Sequence, residues 1–258
     1  MNWSFSKPNI KGLFILVLSL LLTIVSPTTA QGSVCKEAVE TNQFRTDRTL
    51  AKYARYLTPS GRSLFEYFKN LNNGALWLDS GAGLAIALKQ GLSQFPNLQK
   101  AIAIGVKKPE GFLEPSLEMD RQRFEYLEGY MEKLFDEGKL NPWMGRVDII
   151  TDVLGAFSYT RDMRKVLQIQ LDLLAPGGTL FLMYYRDYNR VSGTEGKLLI
   201  NWLKSIPGLE VEERKSTEFK QASVIIRKKR DSVIVPENLL YGPDDRGVPP
   251  RRHFIWRR

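Results

Sequence analysis

The run ALWLDSGAGLAIAL, Ala75 to Leu88, passes from one apolar segment to another through the turn Asp79-Ser80-Gly81-Ala82-Gly83. Two glycines lack the Cβ that would hold a backbone away from a ligand. The helix that starts near Leu84 offers free N–H groups to a negative or polar ligand group. Asp79 adds a carboxylate at the edge of that turn. A second chemical stretch is TDVLGAFSY, Thr151 to Tyr159. Asp152 is its candidate catalytic residue, as a base or as an amine-binding carboxylate. Tyr159, and Tyr184 further on, are candidates to line the same space. Together these residues suit binding at the turn and in-line positioning or proton removal at the loop.

Other chemistries are excluded by composition. Cys35 is the only cysteine, so an intramolecular disulfide and a thiolate zinc cluster are both ruled out. His253 is the only histidine and lies in the tail, which leaves no Ser-His-Asp or Cys-His arrangement in the body of the chain. No metal is expected.

The elements that must position these residues follow from apolar periodicity. Lys36 to Tyr56 and Arg62 to Leu71 read as helices, broken by Thr58-Pro59-Ser60-Gly61. Strands are expected at Ala75–Leu78, Ala101–Val106, Val147–Val153 and Thr179–Tyr184. Helices are expected at Leu84–Leu92, Arg161–Leu174 and Glu195–Ile206. Arg123 to Glu128 suits either a strand or part of a helix from Glu118 to Glu137. Leu209–Glu213 and Ala222–Arg227 are two closing strands with no helix between them, so they pair antiparallel. Apolar strands alternating with helices give an α/β fold with a mostly parallel sheet covered on both faces. From Asp231 onward the chain reads as irregular.

The combination LWLDSGAG, VDIITDVLGAF and LLAPGGTLFLMY resembles the class I S-adenosylmethionine-dependent methyltransferases. Asp79, Gly81 and Gly83 match that family's acid-x-Gly-x-Gly-x-Gly motif, and Ala85 replaces its third glycine. Leu173 to Leu180 resembles the Leu-x-Pro-Gly-Gly signature before the fifth strand. The resemblance spans roughly Arg62 to Lys228. It implies a Rossmann-like fold with a seven-stranded sheet and a C-terminal antiparallel pair. It also implies S-adenosylmethionine as cofactor, held by Asp79, Ser80, Gly81, Ala82 and Gly83, with Asp79 at its amino acid end. Two positions depart from the pattern. Lys107 stands where an acid meets the ribose hydroxyls, and Tyr130 stands where an acid meets the adenine amino group. Glu128 is an alternative acceptor. The Asn/Asp-Pro-Pro-aromatic motif of methyltransferases acting on DNA bases is absent, which counts against that substrate.

Residues 1–30 have the basic, apolar, small-residue order of a signal peptide. Their apolar run, Gly12 to Val25, is about 14 residues, short of the roughly 20 needed to cross a bilayer. Export to the periplasm or medium is expected, with an uncleaved membrane anchor as the alternative. Residues 31–73 form an N-terminal helical segment, 74–230 the methyltransferase-like domain and 231–258 a basic, Pro-rich tail. The net charge is +9, and from Arg214 onward there are twelve basic against five acidic residues. That tail invites an anionic partner, lipid or nucleic acid. The functional expectation is an exported methyltransferase of unknown acceptor. The alternatives are an inactive methyltransferase fold used for binding, and a membrane-anchored enzyme facing the cytosol.

Overall fold

Apolar strands flanked by amphipathic helices bury both faces of one sheet, and the two faces use different side chains. The computed structural model describes residues 48–58, 64–160, 162–185, 189–192, 199–215, 221–236, 239–241 and 252–256. The expected N-terminal export segment and the first part of the expected helix at Lys36–Tyr56 lie outside them.

In chain order the elements are α1 (Leu50–Leu57), α2 (Leu64–Lys69), β1 (Ala75–Asp79), α3 (Ile86–Gln94), β2 (Leu98–Gly105), α4 (Glu118–Gln122), β3 (Phe124–Glu128), α5 (Met131–Asp136), β4 (Val147–Val153), α6 (Ala156–Tyr159) and α7 (Met163–Leu173). They continue as β5 (Leu174–Tyr185), β6 (Asn189–Ser192), α8 (Leu199–Lys204), β7 (Leu209–Lys215), β8 (Gln221–Lys228), β9 (Leu239–Tyr241) and β10 (Arg252–Trp256). The ambiguous FEYLE segment is thus a strand, preceded and followed by short helices. The tail is not wholly irregular, because β9 and β10 join β6 in a three-stranded sheet.

The main sheet runs β3-β2-β1-β4-β5-β8-β7. Strands β3, β2, β1, β4 and β5 are parallel, while β8 runs antiparallel to both β5 and β7. Alternate residues serve alternate faces. Leu76, Leu78, Ile102, Ile104, Leu180 and Leu182 point to the layer of α5, α7 and α8. Trp77, Ala101, Ala103, Ile149 and Phe181 point to the layer of α1, α2 and α3.

The LAPGG segment follows α7 without a gap and opens β5. Gly177 takes φ +80°, and a Cβ on Gly178 would come within 2.9 Å of the Ala175 carbonyl and 3.0 Å of the Val147 carbonyl. The buried Lys228 amine donates to the Leu171 and Leu174 carbonyls at 2.8 and 2.7 Å. It thereby satisfies acceptors that the end of α7 leaves open.

Trp77 is fully buried between α2 and α3. Its ring lies 4.6 Å from that of Phe68, and its indole N–H donates to Thr151 Oγ1 at 3.0 Å. A Cβ on Gly91 would sit 2.4 Å from the Trp77 ring. Overpacking of that kind costs about 1–3 kcal/mol, and the helix-propensity gain of alanine returns about 1 kcal/mol. Gly91→Ala is expected to lower unfolding free energy by up to about 2 kcal/mol in urea titration. An increase in stability would show that α3 is free to move off the sheet.

Candidate functional site

The strand order reverses between β1 and β4, and in an open parallel sheet ligands bind outside the carboxyl ends at such a point. The loops after β1, β2, β3 and β4 there surround a cavity of about 420 Å³.

The glycine turn forms its floor. Ser80 N donates to the Thr151 carbonyl at 2.9 Å, and Ala82 N donates to the Ile104 carbonyl at 3.1 Å. Gly81, expected to let a ligand approach, is needed first for a contact between loops. A Cβ on Gly81 would lie 2.5 Å from Gly155 Cα, and a Cβ on Gly155 would lie 2.4 Å from the Ser80 carbonyl oxygen. Both loops therefore depend on glycine at their crossing. Gly83 and Ala85 take φ +52° and +53°. Ala85 adopts the left-handed conformation that a glycine would hold without strain, at a cost of about 1–2 kcal/mol.

Asp79 ends β1 behind this turn and is fully buried. Its Oδ2 accepts the Tyr53 hydroxyl at 2.6 Å. Its Oδ1 accepts no hydrogen bond among the described residues. Thr151 eases the charge on Asp79 without meeting hydrogen-bond geometry at that oxygen. Burial pushes Asp79 up to about 7, against the opposing pull of the Tyr53 hydroxyl. Tyr53 is itself pushed well above the usual phenol range, by burial and then by the charge of Asp79. Arg48, just before α1, lines the cavity, and its charge favours the ionised form of Asp79.

Asp152 was expected to act on substrate, and the structure gives it another task. It is 0% exposed and is not part of the cavity wall. Its carboxylate accepts the backbone N–H groups of Gly155 and Phe157 at 2.8 and 2.9 Å, Ser80 Oγ at 2.7 Å and Gln170 Nε2 at 2.7 Å. Four donors from three segments hold the β4 loop and α6 in place. Burial still raises its pKa. Tyr184 is likewise in the core, beside Phe157, while Tyr159 does line the cavity.

Of the expected cofactor residues, Ser80, Gly81, Gly83, Lys107 and Tyr130 line the cavity. Asp79 lies behind it, and Ala82 is packed into the core. Tyr130 precedes the first turn of α5. Glu128 does not substitute as an acceptor at the wall. It points to the β2 loop, where its Oε2 accepts the Lys108 backbone N–H at 2.9 Å.

Four contributors were not anticipated from sequence: Arg48, Tyr53, Tyr126 and Glu132. Tyr126 reaches from β3 across β2, and its hydroxyl donates to the Gly83 carbonyl at 3.0 Å. Gly105 permits this, because a Cβ there would fall 2.1 Å from the phenol oxygen. Burial raises the Tyr126 pKa, helped by the charge of Asp79. Glu132, in the first turn of α5, is buried in the cavity wall and accepts the Thr160 hydroxyl. Burial raises its pKa. Among the described residues no group of three or more His, Cys, Asp and Glu side chains comes together as a metal site.

No protein-family model matches this chain, and no curated protein matches it. Solved structures do. A precorrin-6y C5,15-methyltransferase from Geobacter metallireducens is 17% identical, with a TM-score of 0.44 over 73% of this chain and 95% of that one. A putative sarcosine dimethylglycine methyltransferase from Galdieria sulphuraria is 13% identical, with a TM-score of 0.49 over 70% of this chain and 86% of that one. A geranyl diphosphate methyltransferase, in complex with GPP and sinefungin, is 10% identical, with a TM-score of 0.41 over 65% and 76%. The strand order and the closing antiparallel pair decide the fold. It is the Rossmann-like methyltransferase fold.

Within that methyltransferase fold Asp79 is a titrating group at neutral pH. The unfolded carboxyl titrates near 3.8 and the folded one near 7. Between those values the folded chain keeps a proton that the unfolded chain releases, so stability falls as pH rises through that window. Asp79→Asn keeps an acceptor for Tyr53 and removes the titration. Its melting temperature is expected to match the parent near pH 4 and to exceed it at pH 8 by on the order of 5 °C. A constant difference at both pH values would assign the effect to packing and not to the buried charge.

Proposed function

We propose that this chain binds S-adenosylmethionine in the cavity at the β1–β4 switch point and transfers its methyl group to an acceptor not yet identified. The observation that carries the reading is the unpartnered Oδ1 of the buried Asp79, beneath a glycine turn that lines the cavity. An ammonium group would supply the missing donor, and a buried acceptor left without one costs about 1–3 kcal/mol. Arg48 lines the same cavity and suits a carboxylate. These two residues would hold the amino acid end of the cofactor, which when bound supplies a methyl group on a positively charged sulfur. Tyr53 fixes the Asp79 carboxylate, and the Asp152 network fixes the loop opposite.

Calorimetric titration of S-adenosylmethionine and S-adenosylhomocysteine into the full-length chain tests this. Micromolar binding is expected, weakened by about ten- to a hundredfold in Asp79→Asn, and tighter at pH 8 than at pH 6 because the ammonium needs the ionised carboxylate. Absence of heat and of thermal stabilisation at millimolar cofactor would sink the reading. Lys107 at the end of β2 favours a second reading, a methyltransferase fold that binds without transferring. Cofactor binding with no labelled methyl group leaving it in the presence of cell extract would support that one.

We further propose that the segment up to Ala30 exports the chain, on the evidence of its residue order. Among the described residues no helix is long and apolar enough to cross a membrane. Fractionation with mass measurement should give a chain beginning at Gln31 outside the cytoplasm. A full-mass chain found only with membranes would establish the anchor instead.

A further inference from the structure

Among the described residues two carboxylates line the cavity, Glu110 and Glu132. Glu110 is exposed beside Lys107 on the β2 loop, where water competes for both its oxygens. Glu132 is placed differently. It stands in the first turn of α5 and is only 5% exposed. Its Oε1 accepts the hydroxyl of Thr160, the residue that closes α6. Thr160 Oγ1 in turn accepts the Asp162 backbone N–H at 2.9 Å, which leaves its proton for the carboxylate. Oε2 has no hydrogen-bond partner among the described residues, and it is not sealed off in the interior. The tie to Thr160 needs one acceptor, so a carboxylate there leaves an oxygen over.

No cation pairs with that oxygen among the described residues. Lys165 eases the charge on Glu132, but its amine holds both oxygens of Asp136 at 2.9 Å. Asp162 adds a like charge, and burial raises the Glu132 pKa. A neutral donor from a ligand suits such a group better than a full cation, which would have to be desolvated with it. The wall around Glu132 is apolar and aromatic: Tyr130 and Met131 precede it, and Leu154, Ala156 and Tyr159 line the same cavity from the β4 loop and α6. Walls of this kind take a flat ring, and one buried polar group among them fixes the ring's orientation.

We propose that Glu132 is the base-reading residue of the cavity, its Oε2 accepting the amino group of an adenine nucleoside. This rests on the reading of the cavity as an S-adenosylmethionine site. With the ammonium of that ligand at Asp79, the adenine amino group is its one remaining N–H donor, and the ribose hydroxyls are its only other donors. A site built around such a bond rejects an analogue without the donor, because the buried oxygen is then left unpaired.

The test is calorimetry and competition on the full-length chain with adenosine, purine riboside, 2′,3′-dideoxyadenosine and S-adenosylmethionine as probes. Purine riboside lacks only the amino group. The parent is expected to bind adenosine at least about fivefold tighter than purine riboside. Glu132→Ala should bring the two within about twofold, chiefly by weakening adenosine. Glu132→Leu, apolar and close in size, should do the same and serves if the alanine variant fails to fold. Loss of the Thr160 tie alone would weaken both nucleosides alike, so the ratio separates recognition from a structural role. Equal binding of adenosine and purine riboside by the parent, binding of no probe, or a preference that survives in a folded variant overturns the proposal. So does a penalty for dideoxyadenosine that Glu132→Ala removes, which would assign the carboxylate to the ribose. An amino-group preference without S-adenosylmethionine binding would remove the methyl-donor reading and leave this one standing. S-adenosylmethionine binding with no such preference would do the reverse.

Discussion

Where the loops after β1 and β4 cross, backbone meets backbone at Gly81 and Gly155, with no room for a single added carbon on either side. Such a contact brings polar main chain together in a dry place, and something must satisfy it. Asp152 does so. Its carboxylate takes two N–H groups of the β4 loop, the Ser80 hydroxyl of the β1 loop and the Gln170 amide of α7. Hydrogen bonds to a charged acceptor are roughly twice as strong as neutral ones. A buried carboxylate without such donors would be expelled or protonated. The position of the cavity floor, of Leu154 and of Tyr159 all depend on this one group.

Asp79, two strands' ends away in sequence, shows the opposite design. One oxygen is held by Tyr53 and the other is left open. The two aspartates are both fully buried and both raised in pKa, yet only one has spare capacity. Capacity, not burial, distinguishes the two: Asp152 has its donors, while Asp79 keeps an acceptor to spare.

Much of the fold was legible in the residues. VDIITDV is the strand it was expected to be, from Val147 to Val153, because a bilaterally buried parallel strand reads as a continuous apolar run. The closing pair was legible because so short a link forbids a crossover. FEYLE was not, since five residues of mixed polarity fit two periods, and pairing with β2 decided the matter. The site was half legible. The turn declared itself through glycine and acid. The task of Asp152 did not, because the same carboxylate serves catalysis or architecture according to its donors, which come from Ser80 and Gln170 far along the chain. Arg48, Tyr53 and Tyr126 were missed for the same reason. Each reaches the site through tertiary approach, with no local pattern to mark it.

The hydrogen bond from Tyr53 to Asp79 spans 26 residues and joins a helix outside the sheet to the first strand within it. A boundary drawn just ahead of β1 would therefore cut through the site and not beside it. Recombination or trimming that treats the sheet as a self-sufficient module would hand on the glycine turn while leaving behind the phenol that orients its acid. The sheet and the helix before it are joined at this acid, and the pocket behind the glycine turn is complete only with both.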